Sequence, residues 1–561
     1  MKNENMNELE VTFSGITGKD KVLCPYGAAA NTLLPAFGIK DDEITALRVN
    51  NEIRPLKTRL AVNSVLEPVM ADSPEGAQIY RRSLSFLLFI ASRKLFPDRS
   101  LFIGHSLGNS YYFTFDSGEP PGEKEIAAIR QEMESLIQQD LPVTFKYLAY
   151  EEALELFRKN RQADTVLLLD QRCSSRIKVN ECNGYIDIFT EPLVSRTGVL
   201  SAFELMLYKE GFLLRFPAAG KDKKIPPFAD DPKIFEIYDE YKNWGRIVGV
   251  RVVGELNSLV AKRNILDYVR IVESYQARKM AEIAERICEE KDRIKTVLIA
   301  GPSSSGKTTS AKKLSIELMV MGITPIAISL DDYYVGTERT PKNEKGEPDY
   351  ECLEALDIPF LNKQLLALYR GEEITLPVYD FKTGSRSNSP GKKICMAESS
   401  TLLIIEGIHA LNDALTPAIP QDTKYKVYVS ALTQLNLDGH NRIPTSDNRL
   451  LRRIVRDNQF RGKDAAGTIK MWPDVQNGER KHIFPFQNTA DSAFNSALDY
   501  EISVLKYYAD PLLRAVKPGQ REYAEASRLL SFLENFAPIQ PHYVPGTSIL
   551  REFIGDSEFT Y

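Results

Sequence analysis

Residues 301–310 read GPSSSGKTTS, and Gly301, Gly306, Lys307 and Thr308 fit the spacing G-x-x-x-x-G-K-[ST]. Glycines at these positions let the backbone curl so that successive N–H groups point inward at phosphate oxygens. A helix starting at the end of such a loop adds its positive N-terminal end. Lys307 is placed to reach β- and γ-phosphates, and the Thr308 hydroxyl to ligate Mg²⁺. The loop sits between strand-like KTVLIA and helix-like AKKLSIELMVMG. That strand–loop–helix context separates a phosphate loop from a chance match in a Gly/Ser turn.

The next chemistry-bearing residues follow strands. PIAISLDDYYVG puts Asp331 and Asp332 just after an apolar stretch, where ligands gather in open α/β sheets. A carboxylate there can take a proton from an attacking hydroxyl or hold Mg²⁺. The alternative is a solvated turn. TLLIIEGIHAL ends a second apolar strand on Glu406, the position of a metal-supporting carboxylate. NRLLRRIVRDNQFRGKD carries Arg449, Arg452, Arg453 and Arg456 at i, i+3, i+4 and i+7, one face of a helix, followed by Arg461 and Lys463. Such a row is usually a solvated face. Beside a phosphate site it can clamp transferring charge and close as a lid.

These residues need a scaffold, and the 561-residue chain is long enough for about three or four domains. Hydrophobic content of 43% and charged content of 26% are those of a soluble globular protein. The net charge of −5 argues against a general nucleic-acid binder. Six scattered cysteines, with no CxxC spacing, read as reduced thiols. No apolar run approaches membrane-helix length, and MKNENMNELE is too polar for a signal peptide, so the expected compartment is the cytoplasm.

Residues 8–70 hold short β-branched stretches between turn signals. QIYRRSLSFLLFIASRKLF (78–96) is a helix stopped by Pro97, LFIGHSLGNSYYFTF is strand-like, and EKEIAAIRQEMESLIQQ is an amphipathic helix. A β-rich stretch is expected from there to FLLRFPAAG, then a charged, Pro-rich boundary at 220–232, then one long helix from about Ser258 to Lys291. From Ile294, apolar strands alternate with helices, the signature of a parallel α/β sheet. The expected division is 1–72, 73–225, 226–291 (a helical connector), 292–515 and 516–561 (a helical extension).

Taken together, GPSSSGKTTS, SLDDYY, LPVYDFKTGSR, LLIIEGIHAL and RLLRRIVRDNQFRGKD resemble the uridine–cytidine kinase and phosphoribulokinase group of P-loop kinases over residues 294 to about 515. The resemblance implies an α/β P-loop kinase fold that uses ATP and Mg²⁺. It places the nucleotide on Gly301, Pro302, Ser303, Ser304, Ser305, Gly306, Lys307, Thr308, Thr309 and Lys463. It makes Asp331 the catalytic base, with Lys307, Arg453, Arg456 and Arg461 around the transferred group, and assigns the metal to Thr308, Asp331 and Glu406. Tyr334, Tyr379 and Phe381 line the acceptor pocket, with Asp349 or Glu351 facing ribose hydroxyls and Arg386 beside them. Two departures stand out. A histidine expected shortly after Y-D-F falls at Gly384, and the Y-D-H-P-D segment reads Tyr350-Glu351-Cys352-Leu353-Glu354.

Residues 8–216 resemble the TGS domain of threonyl-tRNA synthetase, a β-grasp fold, running into its α+β second additional (editing) domain. That domain's H-x-x-x-H pair falls at Arg82 and Phe86, and its later cysteine and histidine fall at Phe189 and Leu193. The resemblance thus implies a kept scaffold without its hydrolytic site. The combined expectation is a nucleoside kinase acting on uridine or cytidine, with a possible homo-oligomer and no membrane or nucleic-acid partner. The alternatives are a kinase for another nucleoside or sugar-type hydroxyl compound, and an RNA- or tRNA-binding P-loop switch.

Overall fold

The computed structural model describes residues 8–14, 21–39, 44–220, 222, 224–343, 346–380, 383–387, 389, 391–396 and 400–560. It opens with β1 (Glu8–Phe13), β2 (Lys21–Pro25), β3 (Ile44–Val49), β4 (Glu52–Arg54) and β5 (Ser64–Met70). They form one sheet in the order β2-β1-β5-β3-β4, with β1 parallel to β5 and the other pairs antiparallel. This is the β-grasp arrangement expected for the first unit.

The helix α1 (Pro74–Leu95) follows, capped by Ser73, whose hydroxyl accepts from the Gly76 amide. After it come β6 (Leu101–Ser106), β7 (Ser110–Phe115), α2 (Glu123–Gln138), β8 (Thr144–Ala149), α3 (Tyr150–Lys159), α4 (Ala163–Asp170), β9 (Arg176–Cys182), β10 (Tyr185–Ile188), β11 (Glu204–Tyr208) and β12 (Gly211–Arg215). Two antiparallel sheets result, β10-β9-β8 and β11-β12-β7-β6. The stretch expected to be β-rich therefore contains two helices. Ala153, Leu154 and Phe157 of α3 form a short apolar face that packs inward.

Beyond the Pro-rich boundary come α5 (Pro232–Val248), α6 (Val253–Ala261) and α7 (Ile265–Glu289). The single helix expected from Ser258 to Lys291 is two helices. Arg263 lies between them at φ +62, which an α-helix cannot continue through.

The C-terminal unit comprises β13 (Thr296–Ala300), α8 (Lys307–Val320), β14 (Thr324–Ser329), α9 (Ile358–Tyr369), the short β15 (Ile374–Thr375), β16 (Tyr379–Asp380), β17 (Ser385–Arg386) and β18 (Lys393–Ile394), then β19 (Thr401–Glu406), β20 (Lys424–Ser430), α10 (Thr445–Arg461), α11 (Ala465–His482), β21 (Ser492–Asn495) and α12 (Glu501–Arg514). Its five-stranded sheet runs β14-β19-β13-β20-β21 with every pair parallel. The inner strands of such a sheet are covered on both faces; β13, β19 and β20 are buried along their whole length, while the edge strand β14 is partly exposed. Val297 and Ile299 face one core with α7, α8 and α10, while Leu298 and Ala300 face another with α5 and α9. The chain ends with α13 (Tyr523–Leu533) and the single turn α14 (Arg551–Ile554). Leu154 and Phe157 of α3 share a core with α6, α7 and the parallel sheet, so α5–α7 are packed elements rather than a free tether. No helix among the described residues is long and apolar enough to cross a membrane.

Candidate active site

The loop after β13 reaches α8 through Gly306, whose φ of +83 favours glycine. A Cβ there would also stand 2.6 Å from Ile549 Cγ2. The carbonyls of the loop are held from behind. Arg449 Nε donates to Ser303 O (2.9 Å), Arg452 Nη1 to Ser304 O (3.3 Å), and Arg453 Nη1 to Ser303 Oγ (2.7 Å). Glu479 accepts from the Ser303 amide (3.0 Å) and pairs with Arg449. Arg452 is fully buried against Glu501. The arginine row is therefore not a solvated face. Arg449 and Arg452 form the floor of the loop, while Arg453, Arg456, Arg461 and Lys463 line the cleft above it. Asp457 gathers Arg453 (3.3 Å) and Arg456 (2.9 Å).

Lys307 begins α8 and folds its ammonium back to Pro302 O (3.3 Å). Parallel pairing sets Glu406 of β19 opposite both Ile299 and Ser329. Its Oε1 accepts from Ser329 Oγ (2.8 Å) and Thr308 Oγ1 (3.3 Å). Burial, and next the Asp331 charge, push the Glu406 carboxyl up to about 7, with Lys307 opposing. A buried carboxylate beside a second acid, met only by hydroxyl donors, fits a hard cation with oxygen ligands. Thr308, Glu406 and Asp331 are the residues that would hold Mg²⁺.

The two aspartates after β14 have different surroundings. Asp332 Oδ1 accepts from the Tyr379 amide (3.2 Å) and so ties β16 to the turn. Asp331 lines the cleft, and its negative charge acts on Glu406. Farther along, Tyr334 and Tyr379 meet at 5.5 Å between ring centroids, and Tyr334 and Tyr350 at 5.9 Å. Glu351 lies under them, its carboxyl raised to about 7 by burial and then by Glu479. The cleft holds about 1410 Å³. Gly384 is on its wall at φ +65, and a Cβ there would collide with Thr337 Oγ1. A side chain at this position would be strained by the backbone and would have to displace the Thr337 hydroxyl.

One expected site residue is elsewhere. Arg386 pairs with Asp357 (3.1 Å) and donates to Tyr333 O (3.4 Å), its guanidinium 5.0 Å from the Phe360 ring centroid. It braces the wall from outside and is not among the residues lining the cleft. Phe381 falls outside the described residues. Sequence reasoning missed Glu552, whose Oε2 accepts from the Thr309 amide (3.1 Å) and hydroxyl (2.6 Å). No local spacing signals a partner 243 residues away.

In the N-terminal half, Arg82, Phe86, Phe189 and Leu193 line one cavity. Arg82 pairs with Glu191 (2.8 Å), Phe86 packs on Tyr185 (5.7 Å) and Phe189 on Phe145 (5.4 Å). His105 is buried near Tyr238, which pushes its imidazole down to about 3.

With this geometry in place, residues 296–503 match the model of the Phosphoribulokinase / Uridine kinase family. The C-terminal half carries a kinase domain of that family. The N-terminal region matches threonyl-tRNA synthetases. Threonine–tRNA ligase of Desulforamulus reducens is 31% identical over 195 residues, covering 34% of this chain and 31% of the relative. That of Desulfovibrio desulfuricans is 33% identical over 141 residues, covering 25% and 22%. The chain thus spans less than a third of the length of these curated relatives. Among solved structures, a possible uridine kinase from Bacillus stearothermophilus is 20% identical, with a TM-score of 0.26, covering 39% of this chain and 98% of that one.

Proposed function

We propose that the protein is an ATP-dependent nucleoside kinase that phosphorylates the 5′-hydroxyl of a nucleoside, uridine or cytidine first among them. The observation that supports this most is the convergence on one cleft of the P-loop, Asp331, Glu406 and a tyrosine-walled acceptor pocket. The loop amides and the start of α8 take the phosphates. Tyr334 and Tyr379 hold the acceptor so that its hydroxyl lies between Asp331 and the γ-phosphorus. Asp331 accepts the hydroxyl proton as the oxygen bonds to phosphorus and the bond to the β-γ bridging oxygen breaks, leaving ADP. Mg²⁺ supplies charge neutralisation on the β- and γ-oxygens when bound. Lys307, Arg453, Arg456 and Arg461 stabilise charge on the transferred group. Positioning and electrostatics carry most of such catalysis.

One observation favours a second acceptor class. With glycine at 384, the pocket lacks that base-edge contact, which suits another nucleoside or a sugar-type alcohol. Losing a polar discriminator can shift specificity by orders of magnitude. ATP consumption across a panel of nucleosides and sugars decides. Turnover only with an added hydroxyl substrate supports a kinase, and acceptor-independent hydrolysis that no panel member stimulates refutes it. We also propose that the units divide at 1–72, 73–225, 226–291, 292–515 and 516–561, with 226–291 serving as the packed joint.

A further inference from the structure

We infer that the cavity between the N-terminal and kinase units is a binding site for a small anion bearing a phosphate or carboxylate group. Its walls are α1, β9 and β10, residues 437–447 and α13, and it holds about 230 Å³. Five cationic side chains line it, and three are committed. Arg82 pairs with Glu191 (2.8 Å), Arg172 with Glu534 (3.0 Å) and Arg528 with Asp447 (2.7 Å).

The other two, Lys178 and Arg442, meet no carboxylate among the described residues; they rest on rings of the cavity wall, Lys178 Nζ 5.9 Å from the Phe189 centroid and the Arg442 guanidinium 5.1 Å from that of Tyr111. Uncommitted cations against aromatic, half-buried walls are electrostatically unsatisfied, and an anion there gains from the lowered local dielectric.

The polar groups of the same wall point to the same ligand. Asn180 is only 5% exposed and faces the cavity, and its amide has no hydrogen-bond partner among the described residues. The Thr190 hydroxyl, elsewhere on the cavity lining, is buried without a partner. The unpartnered Thr190 hydroxyl and the cavity-facing Asn180 amide thus add hydrogen-bonding groups to the wall that carries the two cations.

Size and chemistry bound the occupant. Residues 437–447 and α13 roof the cavity, which closes it to a folded nucleic acid and leaves room for a metabolite-sized molecule. Phe86, Phe189 and Leu193 of its wall cannot bind metal or move protons. The roof leads straight into α10, whose Arg449 and Arg452 hold the carbonyls of Ser303 and Ser304. An occupant therefore touches the segment that anchors the phosphate loop.

The test is calorimetric titration of the full-length protein with inorganic phosphate and, separately, acetate at constant ionic strength. A saturating non-hydrolysable ATP analogue blocks the kinase cleft throughout. One saturable event is expected: with phosphate if the ligand is phosphorylated, with acetate if it is a carboxylate. Lys178→Gln or Arg442→Gln should weaken it about tenfold while kinase activity without the anion stays unchanged. If either variant fails to fold, Asn180→Leu carries the same expectation. Absence of saturable binding by both probes, or undiminished binding in a folded variant, overturns the site and leaves the kinase assignment untouched.

Discussion

Replacing Asp438 with Asn should remove a pH-dependent destabilisation at the joint between the two halves. Asp438 has no solvent exposure. It accepts from Thr165 Oγ1 (2.9 Å), the His440 amide (3.0 Å), and the Asn441 amide (2.8 Å) and Nδ2 (2.9 Å). The same Asn441 Nδ2 donates to Asp187 Oδ1 (3.1 Å), and Asp164 accepts from the Gly439 amide. Three carboxyls thus share one buried region with a neutral His440, whose imidazole burial pushes down to about 4. Burial, and next the Asp164 charge, raise Asp438 from 3.8 to about 7 against the pull of its donors. The folded chain therefore binds this proton more tightly than the unfolded chain. Ionisation begins to weaken the fold above the unfolded value and does so fully above the folded one. The variant has no such proton, so its stability relative to the wild type should rise by roughly 2–3 kcal/mol between about pH 5 and about pH 7.5. Asn keeps Oδ1 as an acceptor, and the Thr165 hydroxyl can turn to accept from its amide. Urea unfolding followed by the fluorescence of Trp244 and Trp472 gives the two differences. A variant whose advantage is equal at both pH values would show that the buried charge is not the cause.

Other outcomes follow from the kinase cleft. Asp331→Asn should lower kcat about 10²–10⁴-fold with little change in the KM for ATP, whereas Asp332→Asn, which keeps an acceptor for the Tyr379 amide, should be nearly silent; the reverse ranking in steady-state kinetics would reassign the base. Tyr379→Ala should raise the acceptor KM, by about 1–3 kcal/mol if a base stacks there, and leave the ATP KM alone; equal damage to both KM values and to Tm would make it a wall residue only. Arg452→Met leaves Glu501 buried without its partner and should cost about 3–5 kcal/mol in urea unfolding, much of it recovered by adding Glu501→Met. Glu552→Gln removes a negative charge from the first turn of α8, where phosphates bind, and should lower the ATP KM by about 0.3–1 kcal/mol; an unchanged or higher ATP KM would show that the tail carboxylate does not oppose the nucleotide.

What could be read in the sequence was what is local. The P-loop is ten consecutive residues flanked by its own strand and helix, so Lys307, Thr308 and Gly306 were legible in type and position. Asp331 and Glu406 were legible because strand ends in a parallel sheet collect on one edge. The arginine row showed its helical face, but not the direction of that face. Its burial depends on Glu479 and Glu501, which arrive from α11 and α12. Arg386 carried the right motif and was withdrawn by Asp357, which nothing in the motif encodes. The break between α6 and α7 turns on one residue at positive φ, and charged, helix-favouring residues on either side hide it. Glu552 reaches Thr309 only through the fold of the tail.

The joint between the halves gives the N-terminal unit a physical role. Residues 436–441 leave the kinase sheet and enter the N-terminal fold, where the Ile103 amide donates to Gly439 O (2.9 Å) and Asn436 Nδ2 to Ile103 O (2.7 Å). The His440 ring lies 4.0 Å from the Phe89 centroid, and Gln162 Nε2 is 3.0 Å from its Nδ1. The Val253 amide of α6 donates to Asn436 O (2.9 Å), so the joint helices grip the same segment. A few residues later the chain enters α10 and the arginines beneath the P-loop. Each hydrogen bond adds only about 0.5–1.5 kcal/mol, but together they tie the approach to α10 to the N-terminal half. Packed elements shift as units rather than bending freely. Any rearrangement of the N-terminal cleft that moves residues 437–441 must therefore move α10, be absorbed in the three residues before Thr445, or break contacts to Ser303 and Ser304. A short connection and a fully buried Arg452 favour the first course.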